Sequence, residues 1–427
     1  MRHSSIKKTI TMKKAILLFL AAILLFTIAR AGIVQNILVV NKITSCNVVS
    51  KKVTSATIPF SIASGWIVAE VGVQVGNSKP EKKKFIFDTG ASASFTSDFA
   101  AGKNWKTESV SVKQVALGEK GKQKEMLMTA DPVVFSFGDI QVKQKHVSID
   151  NMEVSSFKCL DAGGLIGSNI LSKFVVTIDF INSTLTLTQK DAYDYSSQEK
   201  YSSKLSFMAL PFQQNPYCAI KVNGEEYSGI FDTGFTGNVM LDVDSTKEQF
   251  RKITGKPDVL TYEAYAAMAN VNGVIKKHSV VYEWDNANFK SEKDSFRADN
   301  ITIQPASKNS CNVGLKFARQ YEKVVIDWNK KDIYFFNPLP KPAPTHTEVC
   351  IRHLTDEQKF VIGLIETKSS FYANGLRSAD EVVKIDDAPL STLSLSECDL
   401  PKKLNELLDA ANTIVVKRNG QEVAIAK

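Results

Sequence analysis

The chain has 427 residues, 44% hydrophobic and 23% charged, and its 53 Lys and Arg against 45 Asp and Glu leave a formal charge of +8. That is ordinary globular composition, enough for roughly two to four domains, and it excludes intrinsic disorder, a collagen-like repeat and a multi-span membrane protein. A charge of +8 suits a polyanionic partner only if the basic residues share one folded face, so their placement decides what it means.

The first element in chain order is a leader. Lys13 and Lys14 precede an unbroken apolar run from Ala15 to Phe26, and Ala29-Arg30-Ala31 places small residues where a signal peptidase reads. This is the layout of a secretory signal peptide over residues 1–31, cleaved after Ala31. The run falls short of the roughly 20 residues that span a bilayer, so a retained anchor is the weaker reading. Arg2, Lys7, Lys8, Lys13, Lys14 and Arg30 all lie in the leader, which has no acidic residue, so only +2 of the +8 stays with the mature chain. No nucleic-acid partner is therefore expected, and the destination is periplasmic, cell-envelope or secreted. Export would let the six cysteines (46, 159, 218, 311, 350 and 398) form disulfides. Neither a CxxC pair nor an HExxH helix occurs and the five histidines do not cluster, so no metal and no cofactor is expected.

Beyond the leader the chain repeats itself. Ile-Phe-Asp-Thr-Gly occurs at Ile86 to Gly90 and again at Ile230 to Gly234, an offset of 144 residues, with Ser92 and Thr236 four positions after the respective aspartates. Each copy ends a predicted hairpin. In the first, Trp66 to Val75 alternates apolar residues, Gly76 to Pro80 turns and Phe85 to Phe87 returns; in the second, Tyr217 to Val222, the Asn223-Gly224 turn and Tyr227 to Phe231 do the same. Downstream, Gly164-Leu-Ile-Gly167 precedes the strand-like Phe174 to Asp179, and Asn312-Val-Gly314 precedes Val324 to Asp327. The motif aspartate and the later glycine are 79 residues apart in one half and 82 in the other. Two halves with one motif order predict two copies of a mostly β lobe, residues 48–188 and 205–337, separated by the polar stretch 189–204.

An apolar strand ending in Asp-Thr-Gly has a chemical logic. The glycine lets the chain turn and brings backbone N–H groups to the carboxylate, Thr89 and Thr233 can tie one loop to its twin, and Ser92 and Thr236 can bond the carboxylates. A pseudo-twofold arrangement sets Asp88 beside Asp232, and two adjacent carboxylates share a proton, which supplies an acid and a base together.

These strings resemble the retropepsin and pepsin clan of aspartic peptidases over roughly residues 50–337. The resemblance implies a mainly β, bilobal fold, with Asp88 and Asp232 catalytic and Thr89, Gly90, Ser92, Thr233, Gly234 and Thr236 supporting them. It also implies β-hairpin flaps: Val115 to Met126, with Gly118 and Gly121, in the first half and Ala266 to Val274 in the second. Ala91 and Phe235 stand where pepsin-like enzymes offer a further hydroxyl, so activity is expected at mildly acidic to neutral pH. Asp179 and Asp327 occupy matching strand ends and are read as structural. One chain carries both motifs, so a monomer suffices.

After the proline-rich Asn337 to Pro344, residues 345–427 are similar to a PDZ domain of the bacterial protease type. The similarity rests on the Lys359 to Ile365 strand, Ala373-Asn-Gly-Leu-Arg-Ser-Ala-Asp380, Val382 to Ile385, a helical Leu404 to Leu408 and a final strand Thr413 to Lys417. Ala379 and Asp387 replace glycines usual in such domains. The resemblance implies an α+β module that takes a peptide, often by its free C-terminus, as an added strand. Cys350 and Cys398 share this segment and make the most economical pairing. The chain thus reads as an exported aspartic endopeptidase acting on protein or peptide substrates, with a catalytically silent peptide-binding scaffold as the rival.

Overall fold

The computed structural model describes residues 37–427 apart from 114–122, 153–154, 267, 271–272, 286, 292–293, 299, 341–346, 394–395 and 397. The leader and the first flap's Gly118 and Gly121 lie outside the described residues.

The fold is mainly β, and each half is built around its motif strand. In the first, Trp66–Val75 buries Ile67, Ala69, Val71, Val73 and Val75 on one face and pairs antiparallel with Glu81–Asp88, as the alternation predicts. In the second, Pro216–Val222 and Glu225–Asp232 form the matching hairpin around Asn223 and Gly224, both at positive φ. Each motif strand then takes a parallel partner from far along the chain: Ala162–Gly167 sets Gly167 opposite Asp88, and Ser310–Gly314 sets Gly314 opposite Asp232. Gly229 has a steric task here, because any side chain on it would run into the Cys311 carbonyl of that partner.

A six-stranded antiparallel sheet joins the halves, in the order Ser55–Ala63, Thr184–Gln189, Phe174–Asp179, Tyr321–Asp327, Asp332–Pro338, Ser203–Ala209. Its central pair runs from Val175 opposite Asp327 to Asp179 opposite Lys323. Val176, Ile178, Val324 and Ile326 point from it into the main core, while Val175, Val325, Tyr334 and Phe336 form a small cluster on the other face. Asp179 and Asp327 cap turns: Asp179 Oδ1 accepts from the N–H groups of Ile181 and Asn182, and Asp327 Oδ1 from those of Asn329 and Lys330. The stretch after Gln189 forms 3-10 turns at Lys190–Ala192 and Tyr195–Lys200, and Gln198 is buried there against Asp327 Oδ2.

Residues from Val349 to Ile425 form a separate hydrophobic cluster. It comprises the strands Val349–Leu354, Lys359–Glu366, Glu381–Ile385, Thr413–Arg418 and Gln421–Ala426, with the helix Leu400–Ala410. Thr413–Arg418 is not the last strand, as the sequence led us to expect. Gln421–Ala426 follows it with a single buried residue, Ile425, so no apolar period announces it. Ala379 sits at φ +69, a conformation that glycine adopts more readily than alanine.

A strand ladder and a disulfide fasten this segment, beside ion pairs of Lys276 with Asp356 and Glu357 and a bond from the Tyr372 hydroxyl to Glu263. Lys359–Glu366 pairs antiparallel with Val259–Tyr265 of the second half, through Tyr262 opposite Glu366 and Ala264 opposite Leu364. A disulfide joins Cys398 to Cys159, 239 residues earlier, at the end of the short helix Ser155–Cys159 in the first half. The expected Cys350–Cys398 pairing is therefore overturned: Cys350 lies on a strand, free, and burial pushes its thiol up. Sharing a segment did not decide the pairing, because Cys398 precedes its helix at the boundary with the first half. Proteolysis within 341–346 is accordingly expected to leave the C-terminal segment attached on a non-reducing gel and to release it only with reductant. Release without reductant would exclude this bridge.

Candidate active site

The two Asp-Thr-Gly loops meet where the halves join. Thr89 and Thr233 interlock: the Thr89 hydroxyl donates to the Phe231 carbonyl (2.7 Å) and accepts from Thr233 N–H (3.0 Å), while the Thr233 hydroxyl donates to the Phe87 carbonyl (2.8 Å) and accepts from Thr89 N–H (3.0 Å). Both threonines are buried, so each crossing bond replaces water that cannot reach the backbone groups. Three further bonds hold the loops from outside. Trp66 Nε1 donates to the Gly234 carbonyl, and Ser168 Oγ and Asn215 Nδ2 both donate to the Thr89 carbonyl.

This frame sets the carboxyl groups of Asp88 and Asp232 within hydrogen-bond reach of each other. Asp88 Oδ1 accepts from Gly90 N–H at 2.7 Å; Asp232 Oδ1 accepts from Gly234 N–H at 2.8 Å and Phe235 N–H at 3.2 Å. Asn312 Nδ2 donates to Asp232 Oδ2 at 3.2 Å. Each aspartate keeps part of its surface toward solvent, but the Asp88 carboxyl itself is enclosed. That burial, the Asp232 charge and the bond to Asp232 raise Asp88 well above the usual carboxylate range, against the opposing N–H groups of Gly90 and Ala91.

The glycines fit the opposite aspartates. A Cβ on Gly90 would overlap the Asp232 carboxyl, and one on Gly234 the Asp88 carboxyl. Gly234→Ala is expected to separate the pair and, if the pair hydrolyses peptides, to lower kcat/KM about 100-fold, the usual cost of an ångström-scale misplacement. A variant as active as the parent in a peptide-cleavage assay would count against the assignment.

The hydroxyls at the fourth position differ from expectation. Ser92 Oγ is buried without a hydrogen-bond partner, and Thr236 is exposed with its side chain against Gly65. The neighbours of Ser92 are held by the short helix that follows the parallel strand, the Ala91 carbonyl by Ser168 N–H and Ala93 N–H by Asn169 Oδ1. Sequence reasoning missed Asn312, Trp66 and Asn215. The available signal for Asn312 was a carboxamide at the strand position where the first half has Leu165.

The first flap's flanks, Thr107–Lys113 and Gln123–Thr129, form an antiparallel ladder ending at Lys113 opposite Gln123, with the tip outside the described residues. In the second half Met268–Asn270 pairs with Gly273–Ile275. No cluster of three or more potential metal-ligating His, Cys, Asp or Glu side chains occurs among the described residues.

No family model matches the chain, and no curated protein sequence matches it. Among solved structures it is similar to an aspartic proteinase from Irpex lacteus, at 13% identity and a TM-score of 0.38, over 66% of this chain and 97% of that one.

Proposed function

We propose that the chain is an exported aspartic endopeptidase. One observation carries the reading: Asp88 and Asp232 lie carboxyl to carboxyl, each held by the N–H groups of its own Asp-Thr-Gly loop. Such a pair keeps one proton over a range of pH, so one member can take a proton from water while the other gives one. A water between them loses its proton to the ionised aspartate as it attacks the peptide carbonyl. The protonated partner hydrogen-bonds the developing oxyanion, and proton return to the nitrogen releases the amine. No covalent intermediate forms.

The C-terminal segment is proposed to recruit extended peptide beside Val349–Leu354, the strand against which the helix Leu400–Ala410 packs. Recruitment there raises the local concentration of substrate at the aspartates. Incubating the chain with an unfolded protein from about pH 3 to 8, with and without a chelator, tests the peptidase reading. Fragments in both series are expected. A folded chain inert throughout would leave the silent peptide-binding scaffold as the better account.

A further inference from the structure

We propose that Asn312 is a positioning residue that keeps the negative charge of the aspartate pair on Asp232, so that Asp232 acts as the base and Asp88 as the acid. The roles rest on the peptidase reading; the charge asymmetry does not, and it can be measured without substrate.

The two loops differ in their donors to the aspartates: Asp232 Oδ1 accepts from Phe235 N–H at 3.2 Å as well as from Gly234, and a side chain adds a further donor. In each half the backbone two residues beyond the aspartate donates to its Oδ1. Among the described residues, Asn312, whose Nδ2 lies 3.2 Å from Asp232 Oδ2, is the one amide side chain that donates to the pair. Strand register makes the difference plain: Asn312 stands opposite Ile230 in the second half, and Leu165 stands opposite Ile86 in the first. Leu165 is buried in an apolar cluster with Val68, Ile86 and Phe157 and has nothing to donate. Nor does Ser92 compensate, since its hydroxyl makes no hydrogen bond.

The Asn312 amide is oriented at a cost. Its Oδ1 is buried without a partner, and the orientation that orphans this oxygen is the one that aims the N–H group at Asp232. A donor of this kind favours the charged form of a carboxylate far more than the neutral acid, whose oxygens accept weakly. Among the described residues, the other groups that bond the pair or lie against it are uncharged: Gly90 on the first loop, Gly234 and Phe235 on the second, and Asn312 on the strand paired with Glu225–Asp232. The Asn312 amide and the Phe235 N–H thus both favour negative charge on Asp232.

The test is carboxyl-carbon NMR of the whole chain labelled at aspartate, with the two signals assigned from Asp88→Asn and Asp232→Asn. At a pH between the two steps of the pair, the parent is expected to show Asp232 with a carboxylate shift and Asp88 with a carboxylic acid shift. Asn312→Leu, which installs the residue of the first half, is expected to bring the two shifts together and raise the lower titration step by about one pH unit, the usual scale for losing one hydrogen bond to a charged group. Asn312→Ala gives the same readout should the leucine variant not fold, and Asn312→Gln is expected to restore the asymmetry. A purely structural Asn312 would change the unfolding midpoint and leave the shifts alone. The proposal fails if Asp88 carries the charge in the parent, or if the asymmetry survives in Asn312→Leu or Asn312→Ala. A parent that cleaves nothing would sink the peptidase reading without touching this result.

Discussion

Replacing either Asp88 or Asp232 with asparagine is expected to lower peptide hydrolysis by about 1,000-fold or more while leaving a folded chain, because a pair with one amide cannot both take and give a proton. The amide matches the carboxyl group in shape and can still accept from Gly90 or Gly234 N–H, so the loops should survive the exchange. Comparison of cleavage rates on one unfolded substrate decides it: variants that cut as fast as the parent would place the chemistry elsewhere. The Asp88 variant carries a second expectation. Asp88 is raised in the folded chain above the ordinary aspartate value of 3.8, so the stability it contributes is fully present below about that pH and is lost as pH rises through the folded value. Asparagine never ionises. The unfolding midpoint of Asp88→Asn is therefore expected to exceed the parent's at neutral pH, and the gap to close on acidification below about pH 4. A gap that widens on acidification would contradict the raised value.

The second large effect concerns the paired threonines. Thr89→Val removes the donor to the Phe231 carbonyl and the acceptor for Thr233 N–H together, and Thr233→Val does the same to Phe87 and Thr89. Each change strands two backbone groups in a buried place, so each is expected to cost about 3 kcal/mol in denaturant unfolding. The four bonds form one unit across the junction, and the double variant is expected to lose less than the sum of the singles. Thr→Ser at either position keeps the hydroxyl and should recover most of the loss. Additive costs, or serine variants as weak as valine variants, would show that side-chain packing and not the crossed hydrogen bonds holds the loops.

Much of this arrangement was legible in the sequence, for identifiable reasons. A strand with one buried face announces itself by alternation, as Val71, Val73 and Val75 do, and Asn223-Gly224 marks a tight hairpin because both residues tolerate positive φ. The repeated Asp-Thr-Gly strings named the groups that meet at the junction and the threonines that cross it. What stayed hidden depends on relations between distant residues. The Cys159–Cys398 bridge spans 239 residues, and nothing local marks one cysteine as the partner of the other. The ladder between Lys359–Glu366 and Val259–Tyr265 is made by main chain, which carries no residue code. That the Ser92 hydroxyl finds no hydrogen-bond partner is likewise a matter of side-chain placement that no motif spells out.

The cross-link also gives the chain a timetable. Synthesis proceeds from the N-terminus at about 5–20 residues per second, so Cys159 emerges roughly 10–50 s before the residue it must join. In that interval Cys218, Cys311 and Cys350 appear first, and any of them can capture the waiting thiol on a thiol-oxidising path. Cys218 and Cys311 escape by being folded into the sheet of the second half, where both are buried. Correct oxidation of the first half thus depends on the second half folding promptly and on the last eighth of the chain arriving. A thiol-exchange catalyst should matter more to the yield of this protein than its low cysteine content implies.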